Sequence, residues 1–191
     1  MSKTIEYQIE FFSEWHCGSG LAAGADVDAL VVKDKDKLPF VPGKTIKGLI
    51  REAADVLTLF GEQQAAEMKT LFGNEADAES GADNHGCLFF SNAELSKAEH
   101  DAIVESRTQN YLYRTKASTK IDDNGIAQDA SLRRIETVVP CTLTGSITDV
   151  PDDEDAANLE TAMKYIKRMG INRNRGLGRC QFTATNIKEA K

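Results

Sequence analysis

Residues 42–54 read PGKTIKGLIREAA, and this stretch determines the first helix of the fold. Pro42 and Gly43 form a tight entry turn, and Lys44 or Thr45 lies near the N-cap. Apolar residues then recur at helical spacing, which predicts an amphipathic helix ending near Gly61. The residues on its apolar face are Ile46, Leu49, Ile50, Ala53, Ala54, Leu57 and Phe60.

The same helix carries three cations on one face. Lys47 and Arg51 follow Lys44 at intervals of three and four residues. Free N–H groups at a helix start, with lysines beside them, suit a phosphate group. An ordinary solvated helix face has the same pattern, so both interpretations stay open.

The segments on either side of this helix predict alternating strands and helices. Residues 3–12 (KTIEYQIEFF) place Ile5, Tyr7, Ile9 and Phe11 on one face, as a half-buried strand does. Short strands are predicted at 29–32 (ALVV) and 38–41 (LPFV), joined by the charged turn KDKDK. The remaining predicted strands are 87–95, 111–118, 134–150 with a bend at Pro140, and 180–185, and the remaining predicted helices are 62–72 and Ala156 to Met169.

This order predicts an α+β protein with a ferredoxin-like core. We expect one domain over residues 1–191, with a helical insertion at about 62–86 and a hairpin excursion at about 115–134. The four cysteines are scattered without metal-ligand spacing and predict reduced thiols. The N-terminus carries no signal-peptide pattern and no apolar run is long enough to span a bilayer, so a cytoplasmic protein with no membrane partner is expected.

Charge is unevenly distributed along the chain. The 191 residues carry a net charge of −7, which excludes a general polycation. However, Lys164 to Arg179 holds six basic residues and no acid, whereas Asp149 to Glu160 holds six acids and no base. A single basic groove for nucleic acid therefore remains compatible with the composition.

Two further segments combine basic residues with features that suit RNA. The loop RNRGLGR (173–179) has glycines that let a backbone approach closely and form an anion-binding nest, or it is a plain glycine-rich connection. The excursion has basic arms and a polar tip, where Ile121 or Ile126 suits a wedge between bases; a surface hairpin without a ligand is equally compatible. The basic residues of the excursion are Arg114, Lys116, Lys120, Arg133 and Arg134.

The loop HCGSGLAAGADVDALVVKD (16–34) holds the candidate catalytic groups. Asp26 or Asp28 suits a divalent ion or the orientation of a 2′-hydroxyl for attack on its own phosphate, although exposed loop aspartates are mostly solubilising. His16 suits an acid or a base, but a lone histidine more often hydrogen-bonds its own loop.

Taken in order, these motifs resemble the RAMP superfamily, specifically the repeated backbone subunit of type III CRISPR effector complexes. The resemblance rests on HCGSG followed by VDALVVKD, on FVPGKTIKGLIREA, LFG and CLFFSNAEL, on the stretch ending in RRIETVVP, and on RNRGLGRCQF. It implies a modified RNA-recognition-motif core with a β-hairpin thumb. It also implies a filament of copies of the chain along a CRISPR RNA, in contact with other type III effector subunits and with single-stranded target RNA.

The resemblance further implies roles for individual residues in antiviral defence. Asp28, with Asp26 as the alternative, would cut target RNA as an endoribonuclease, with Mg²⁺ or Mn²⁺ held at Asp28. Guide contacts would fall on Lys44, Lys47, Arg51, Arg173, Arg175, Gly176, Gly178 and Arg179, with His16 and the basic thumb residues completing the RNA-binding set. The thumb would kink the guide–target duplex.

Three other functions fit the same residues less well. A catalytically inactive scaffold of the same complex would share every feature except the cleavage loop. A guide-processing ribonuclease of the superfamily usually has two ferredoxin-like halves, and this chain has one such pattern. An acidic α+β module that binds a protein partner would need none of the basic segments.

Overall fold

The computed structural model describes residues 2–24, 26–59, 71–73 and 86–189, and a four-stranded antiparallel sheet forms its centre. The strand order is β2-β5-β1-β6, and every neighbouring pair is antiparallel. The strands are β1 (Lys3–Phe11), β2 (Phe89–Phe90), β5 (Thr142–Val150) and β6 (Cys180–Glu189). The predicted alternation of β1 is confirmed, because Ile5, Tyr7, Ile9 and Phe11 are all buried.

Two helices accompany the sheet and contribute to its core. They are α1 (Gly43–Leu59), which follows β1, and α3 (Asp153–Tyr165), which lies between β5 and β6. Apolar residues of both helices belong to the same buried cluster as those of the sheet. The βαββαβ order and the strand order together confirm the predicted ferredoxin-like α+β class.

The bounds of the predicted helices shift for local reasons. The Asp152 side chain caps α3 by accepting from the Asp155 N–H at 2.9 Å, so the helix begins earlier than predicted. It ends at Tyr165 because Ile166 is extended, although Ile166 and Met169 remain buried. Helix α1 is described to Leu59, and the predicted helical insertion at 62–86 lies almost wholly outside the described residues.

One helix was not predicted, and one prediction about local structure was wrong. Helix α2 (Lys97–Ser106) was not predicted; it buries none of its residues and therefore leaves no apolar periodicity. The strand pair 29–32 with 38–41 was expected to form a ladder, but only a single bridge joins Lys33 and Pro39, since proline has no N–H to donate. The segment instead makes an isolated parallel bridge between Ala29 and Ile135.

A two-stranded hairpin forms the predicted excursion. It consists of β3 (Tyr113–Ser118), preceded by a single 3₁₀ turn (Gln109–Leu112), and β4 (Arg133–Val138). Trp15 anchors its base through two backbone hydrogen bonds with Val138, at 3.0 and 2.8 Å. Nearly all residues from 114 to 134 are exposed, so the hairpin projects from the body of the protein.

All four cysteines are free thiols in the structure. Burial raises the pKa of Cys141 to about 11 and that of Cys180 to about 12, so both are protonated at neutral pH. Within the described ranges, no helix has the length and apolar content needed to cross a bilayer.

Candidate nucleic-acid interface

Three segments that are distant in sequence meet beside the end of β1. The backbone of residues 12–16 binds residues 171–179, the glycine loop, through three hydrogen bonds. Phe12 N–H donates to Arg179 O at 2.8 Å, and Gly178 N–H donates to Glu14 O at 2.8 Å. Ile171 N–H donates to His16 O at 3.1 Å. The base of the hairpin joins the same residues through Trp15. The histidine loop (16–34), the glycine loop and the base of the hairpin therefore meet at one junction. The sequence singled out each of these segments but did not predict that they meet.

Close backbone approach explains two glycines at this junction. A Cβ on Gly178 would lie 1.8 Å from Met169 O, and one on Gly170 would lie 2.2 Å from His16 O. Gly178 is buried and its N–H is already donated to Glu14, so the RNA contact predicted for Gly178 stays a prediction that this geometry does not favour. Gly176 has a φ of +90° and open space around it, which leaves it accessible to a ligand.

His16 has a structural environment rather than an exposed one. The residue is 0% exposed, and its Nδ1 lies 2.6 Å from Glu136 O, which fixes Nδ1–H as the donor. Its Nε2 is buried and has no hydrogen-bond partner among the described residues. A Cβ added to Gly18 would lie 3.2 Å from this nitrogen. The His16 side chain holds its loop against the hairpin, and the RNA contact predicted for it stays a prediction that this burial does not favour.

Asp28 is exposed and lies beside Arg134, in the half of β4 that is nearer to the hairpin tip. Its N–H donates to Arg134 O at 2.8 Å, and its Oδ2 accepts from Arg134 N–H at 2.6 Å. These two bonds fix the aspartate beside β4 and leave Oδ1 free of described partners. Asp26 is exposed in a separate turn, where its N–H donates to Ala23 O at 3.3 Å.

One carboxylate at Asp28 fits a divalent ion only with help from a ligand. Among the described residues, the group of three metal-ligating side chains that lie together does not include Asp28 or Asp26. Mg²⁺ commonly binds through one or two carboxylates, several waters and substrate phosphates. The donor set at Asp28 matches that mode and not a site built by the protein alone.

Glu136 organises this region, and the sequence reasoning did not single it out. Its Oε2 accepts from Val31 N–H at 3.0 Å, its Oε1 accepts from Lys33 Nζ at 2.7 Å, and its carbonyl accepts from His16. The Lys33 Nζ also lies 3.9 Å from the centre of the Tyr113 ring. The sequence feature that points to Glu136 is a single acid within a strand of basic and apolar residues, RRIETVV.

Replacement of Glu136 should loosen the whole junction. We expect Glu136→Ala to lower the free energy of unfolding by about 1–3 kcal/mol, since it strands a buried backbone donor and a paired lysine. Glu105→Ala, an exposed change on α2, is the matched control and should stay within about 0.5 kcal/mol of the parent. Urea unfolding of both variants measures this, and equal losses would contradict the assigned role.

The predicted basic residues divide into paired and unpaired groups. Lys116 lies 3.2 Å from the Glu14 carboxylate, and Arg173 lies 3.4 Å from Glu52 on α1. The Arg114 guanidinium donates to backbone carbonyls of its own segment. Among the predicted RNA-binding cations, those that are exposed and form no ion pair with a described residue are Lys44, Arg114, Lys120, Arg133, Arg134, Arg175 and Arg179.

The cations of α1 do not all face the glycine loop. Lys44 lies near Cys17 at the histidine loop, where its charge opposes the rise that burial causes in the Cys17 pKa. Lys47 acts in the same way on Cys87, whose surroundings also include Asp149 and Asp155. Lys44 and Lys47 therefore act on different surroundings, although their spacing places them on one face of α1.

The hairpin tip presents apolar side chains to solvent. Ile121, Ile126 and Leu132 are 59%, 65% and 56% exposed. The Asp122 carboxylate accepts from Asn124 N–H and Ile126 N–H, both at 2.9 Å, which shapes the turn between them. Three exposed branched residues on a polar hairpin are unusual for an isolated soluble surface and favour a contact role.

The core, the projecting hairpin and the glycine loop define a ferredoxin-like protein of the modified RNA-recognition-motif type. A family model described as the RAMP superfamily matches residues 8–181, and the chain therefore belongs to the RAMP superfamily.

Solved structures from one kind of complex have the same fold. A chain from the cryo-EM structure of the Type III-B Cmr-beta bound to cognate target RNA has a TM-score of 0.72 at 10% identity, covering 94% of this chain and 96% of that chain. A chain from the apo Type III-B Cmr-beta has a TM-score of 0.68 at 12% identity, covering 96% and 97%. At such identities the likeness is one of fold. No curated protein matches the sequence at a significant level.

Proposed function

We propose that this chain is a repeated backbone subunit of a type III CRISPR ribonucleoprotein, and that it cleaves complementary target RNA in antiviral defence. The observation that carries the proposal is the position of Asp28. Its exposed carboxylate is bonded to the backbone of Arg134, next to the unpaired Arg133 on the same strand. A phosphate drawn to these arginines would lie beside the Asp28 carboxylate.

Guide RNA would be held at the junction of the histidine loop and the glycine loop. Arg175 and Arg179 are exposed there without ion pairs to described residues, and Lys44 begins α1 beside the same loop. Phe12 is 47% exposed, with the Arg179 guanidinium 6.0 Å from its ring centre, so the pair offers both a stacking surface and a charge. Copies of the chain along one guide, beside other effector subunits, would repeat this site.

The hairpin would contact the guide–target duplex and separate neighbouring bases in it. Its exposed tip isoleucines lie beyond basic strand residues, so the arms would contact phosphates while the tip separates neighbouring bases. Unstacking at this point would free the target backbone from helical geometry. A 2′-hydroxyl could then align with its own phosphate near Asp28.

Cleavage in this scheme is a transesterification. The 2′-oxygen bonds to the adjacent phosphorus as the bond to the 5′-oxygen breaks, which leaves a cyclic phosphate and a free 5′-hydroxyl. Asp28 orients the 2′-hydroxyl or accepts its proton through the free Oδ1. A divalent ion bound by Asp28 and the substrate phosphate would neutralise charge that develops on the phosphate oxygens.

The catalytically inactive scaffold remains the second candidate, because one Asp28 oxygen is engaged with Arg134 and Asp28 belongs to no group of three metal-ligating side chains among the described residues. An assembled complex that binds guide and target but never cuts in Mg²⁺ or Mn²⁺ would favour the scaffold. Divalent-dependent cutting at regular intervals would favour the enzyme.

Charge reversal at the junction tests guide binding. We expect Lys44→Glu with Arg175→Glu to reduce guide RNA recovered with the complex at least tenfold, with a weaker salt dependence, because two phosphate contacts are lost. Lys188→Glu is the control, because Lys188 is exposed and pairs with Thr4, at the end of β1 opposite to residues 12–16. Electrophoresis of co-purified nucleic acid measures the effect.

The parent complex should release a ladder of short RNAs of stepped length. Absence of any RNA from the assembled parent complex would overturn the proposed function itself. Recovery of RNA that is unchanged by the double substitution would instead overturn the location of the guide site.

A further inference from the structure

The charged turn after Val32 and helix α2 bring an imidazole and two carboxylates to one point. The ligand atoms of Asp34, Asp36 and His100 all lie within 4.8 Å of one another. His100 Nε2 is 3.3 Å from Asp36 Oδ2 and 4.0 Å from Asp34 Oδ2. The three side chains are partly buried, at 34% exposure for His100, 29% for Asp34 and 32% for Asp36.

Local structure fixes the Asp34 carboxylate and the position of His100 independently. Asp34 Oδ1 accepts from Asp36 N–H at 2.9 Å and Leu38 N–H at 2.8 Å, which leaves Oδ2 to face the imidazole. A capping box between Ser96 and Glu99 begins α2, and it places His100 in the first turn. The donors are therefore positioned before any ligand arrives.

The far side of the imidazole is also held. His100 Nδ1 lies 3.1 Å from Asp101 Oδ1, and Asp101 Oδ2 accepts from Lys97 Nζ at 2.9 Å. A metal-binding histidine usually donates its other ring N–H to a carboxylate, which fixes the tautomer and raises the basicity of the ligating nitrogen. Here that arrangement directs the lone pair of Nε2 toward Asp34 and Asp36.

The separations suit a bound ion better than a direct ion pair. A charge-assisted N–H to carboxylate bond measures about 2.7–2.9 Å, which is shorter than the 3.3 Å between His100 and Asp36. Nitrogen and oxygen ligands about 2.0–2.1 Å from a tetrahedral Zn²⁺ lie about 3.3 Å apart. His100 Nε2 and Asp36 Oδ2 already have that spacing, and Asp34 Oδ2, at 4.0 Å from the ring nitrogen, would move closer on binding.

We propose that Asp34, Asp36 and His100 form a binding site for a divalent transition-metal ion of the zinc class, with water as the fourth ligand. The site is separate from the ion proposed at Asp28 and needs no RNA. It would join the turn to α2, and the turn is itself bonded to the hairpin base, since Tyr113 Oη donates to Lys37 O at 2.7 Å. The ion would therefore brace the hairpin base against the body of the protein.

Zinc titration of the chelator-treated full chain, followed by calorimetry, tests this proposal. We expect one equivalent to bind the parent, and His100→Gln and Asp36→Asn each to weaken binding at least tenfold. Asp101→Asn should weaken it about 10–100-fold through the loss of ring orientation. Asp55→Asn, which makes the same change of charge at an exposed position of α1, should bind zinc as the parent does.

Two further measurements keep the outcome decisive. Circular dichroism without metal should show that all variants are folded. If His100→Gln does not fold, Asp36→Asn provides the test, because the turn is held by the Asp34 carboxylate and not by that of Asp36. Co²⁺ bound at this site should give a spectrum without thiolate charge-transfer bands. Equal zinc affinity across the variants, thiolate bands, or no zinc binding by the parent would overturn the site and leave only a histidine–aspartate ion pair.

Discussion

Asp28→Asn should reduce target RNA cleavage by the assembled complex at least 100-fold while guide RNA binding stays unchanged. Positioned acid–base groups contribute about 10²–10⁴-fold to a rate, and loss of charge also weakens any ion held there. The asparagine carbonyl can still accept from Arg134 N–H, so the 2.6 Å bond that ties the loop to β4 is retained. The substitution therefore removes the charge of the carboxylate and keeps its place.

The matched control for this experiment is Asp26→Asn in the same loop. Asp26 is exposed and its backbone N–H bonds to Ala23, so its replacement leaves the hairpin base intact. Single-turnover cleavage of labelled target RNA, with gel-shift measurement of guide and target binding, compares the two. Full cleavage by Asp28→Asn would remove Asp28 from the mechanism, and selective loss in Asp26→Asn would transfer the role to Asp26.

The elements that the sequence predicted correctly are those that bury a periodic face. Strand β1 and helix α1 each place regularly spaced apolar residues in the core, and their patterns are visible without a structure. Helix α2 buries nothing and depends instead on the Ser96–Glu99 capping box, which is a two-residue signal. Segment 29–32 was assigned the wrong partner because its parallel contact to β4 spans about a hundred residues.

Site residues were harder to predict than strands. A histidine and a glycine in polar loops have the same sequence appearance whether they face a ligand or the protein. His16 is buried and its Nδ1–H donates a hydrogen bond to Glu136 O. Gly178 is buried with Met169 O directly beside its Cα. Glu136 comes from a remote strand and Met169 from the preceding turn, and neither contact is visible in the local sequence, so only the folded arrangement separates these residues from Arg175 and Gly176.

Gly178→Ala should destabilise the protein far more than Gly176→Ala. Both glycines have positive φ, +66° and +90°, so an alanine at either costs about 1–2 kcal/mol in backbone conformation. At Gly178 the new Cβ would also stand 1.8 Å from Met169 O, and a backbone oxygen cannot move aside cheaply. We expect a total loss of about 3–5 kcal/mol there.

Urea unfolding of the two alanine variants separates conformational strain from steric overlap, because only the second differs between them. The overlap should push Gly178 away from Glu14 O and Met169 N–H, its partners in two of the hydrogen bonds that hold the glycine loop to the core. Arg175 and Arg179 would then lose their fixed position, so Gly178→Ala should also reduce guide recovery by a complex that still assembles. Equal losses of stability in the two variants would show that loop anchoring does not depend on this close approach.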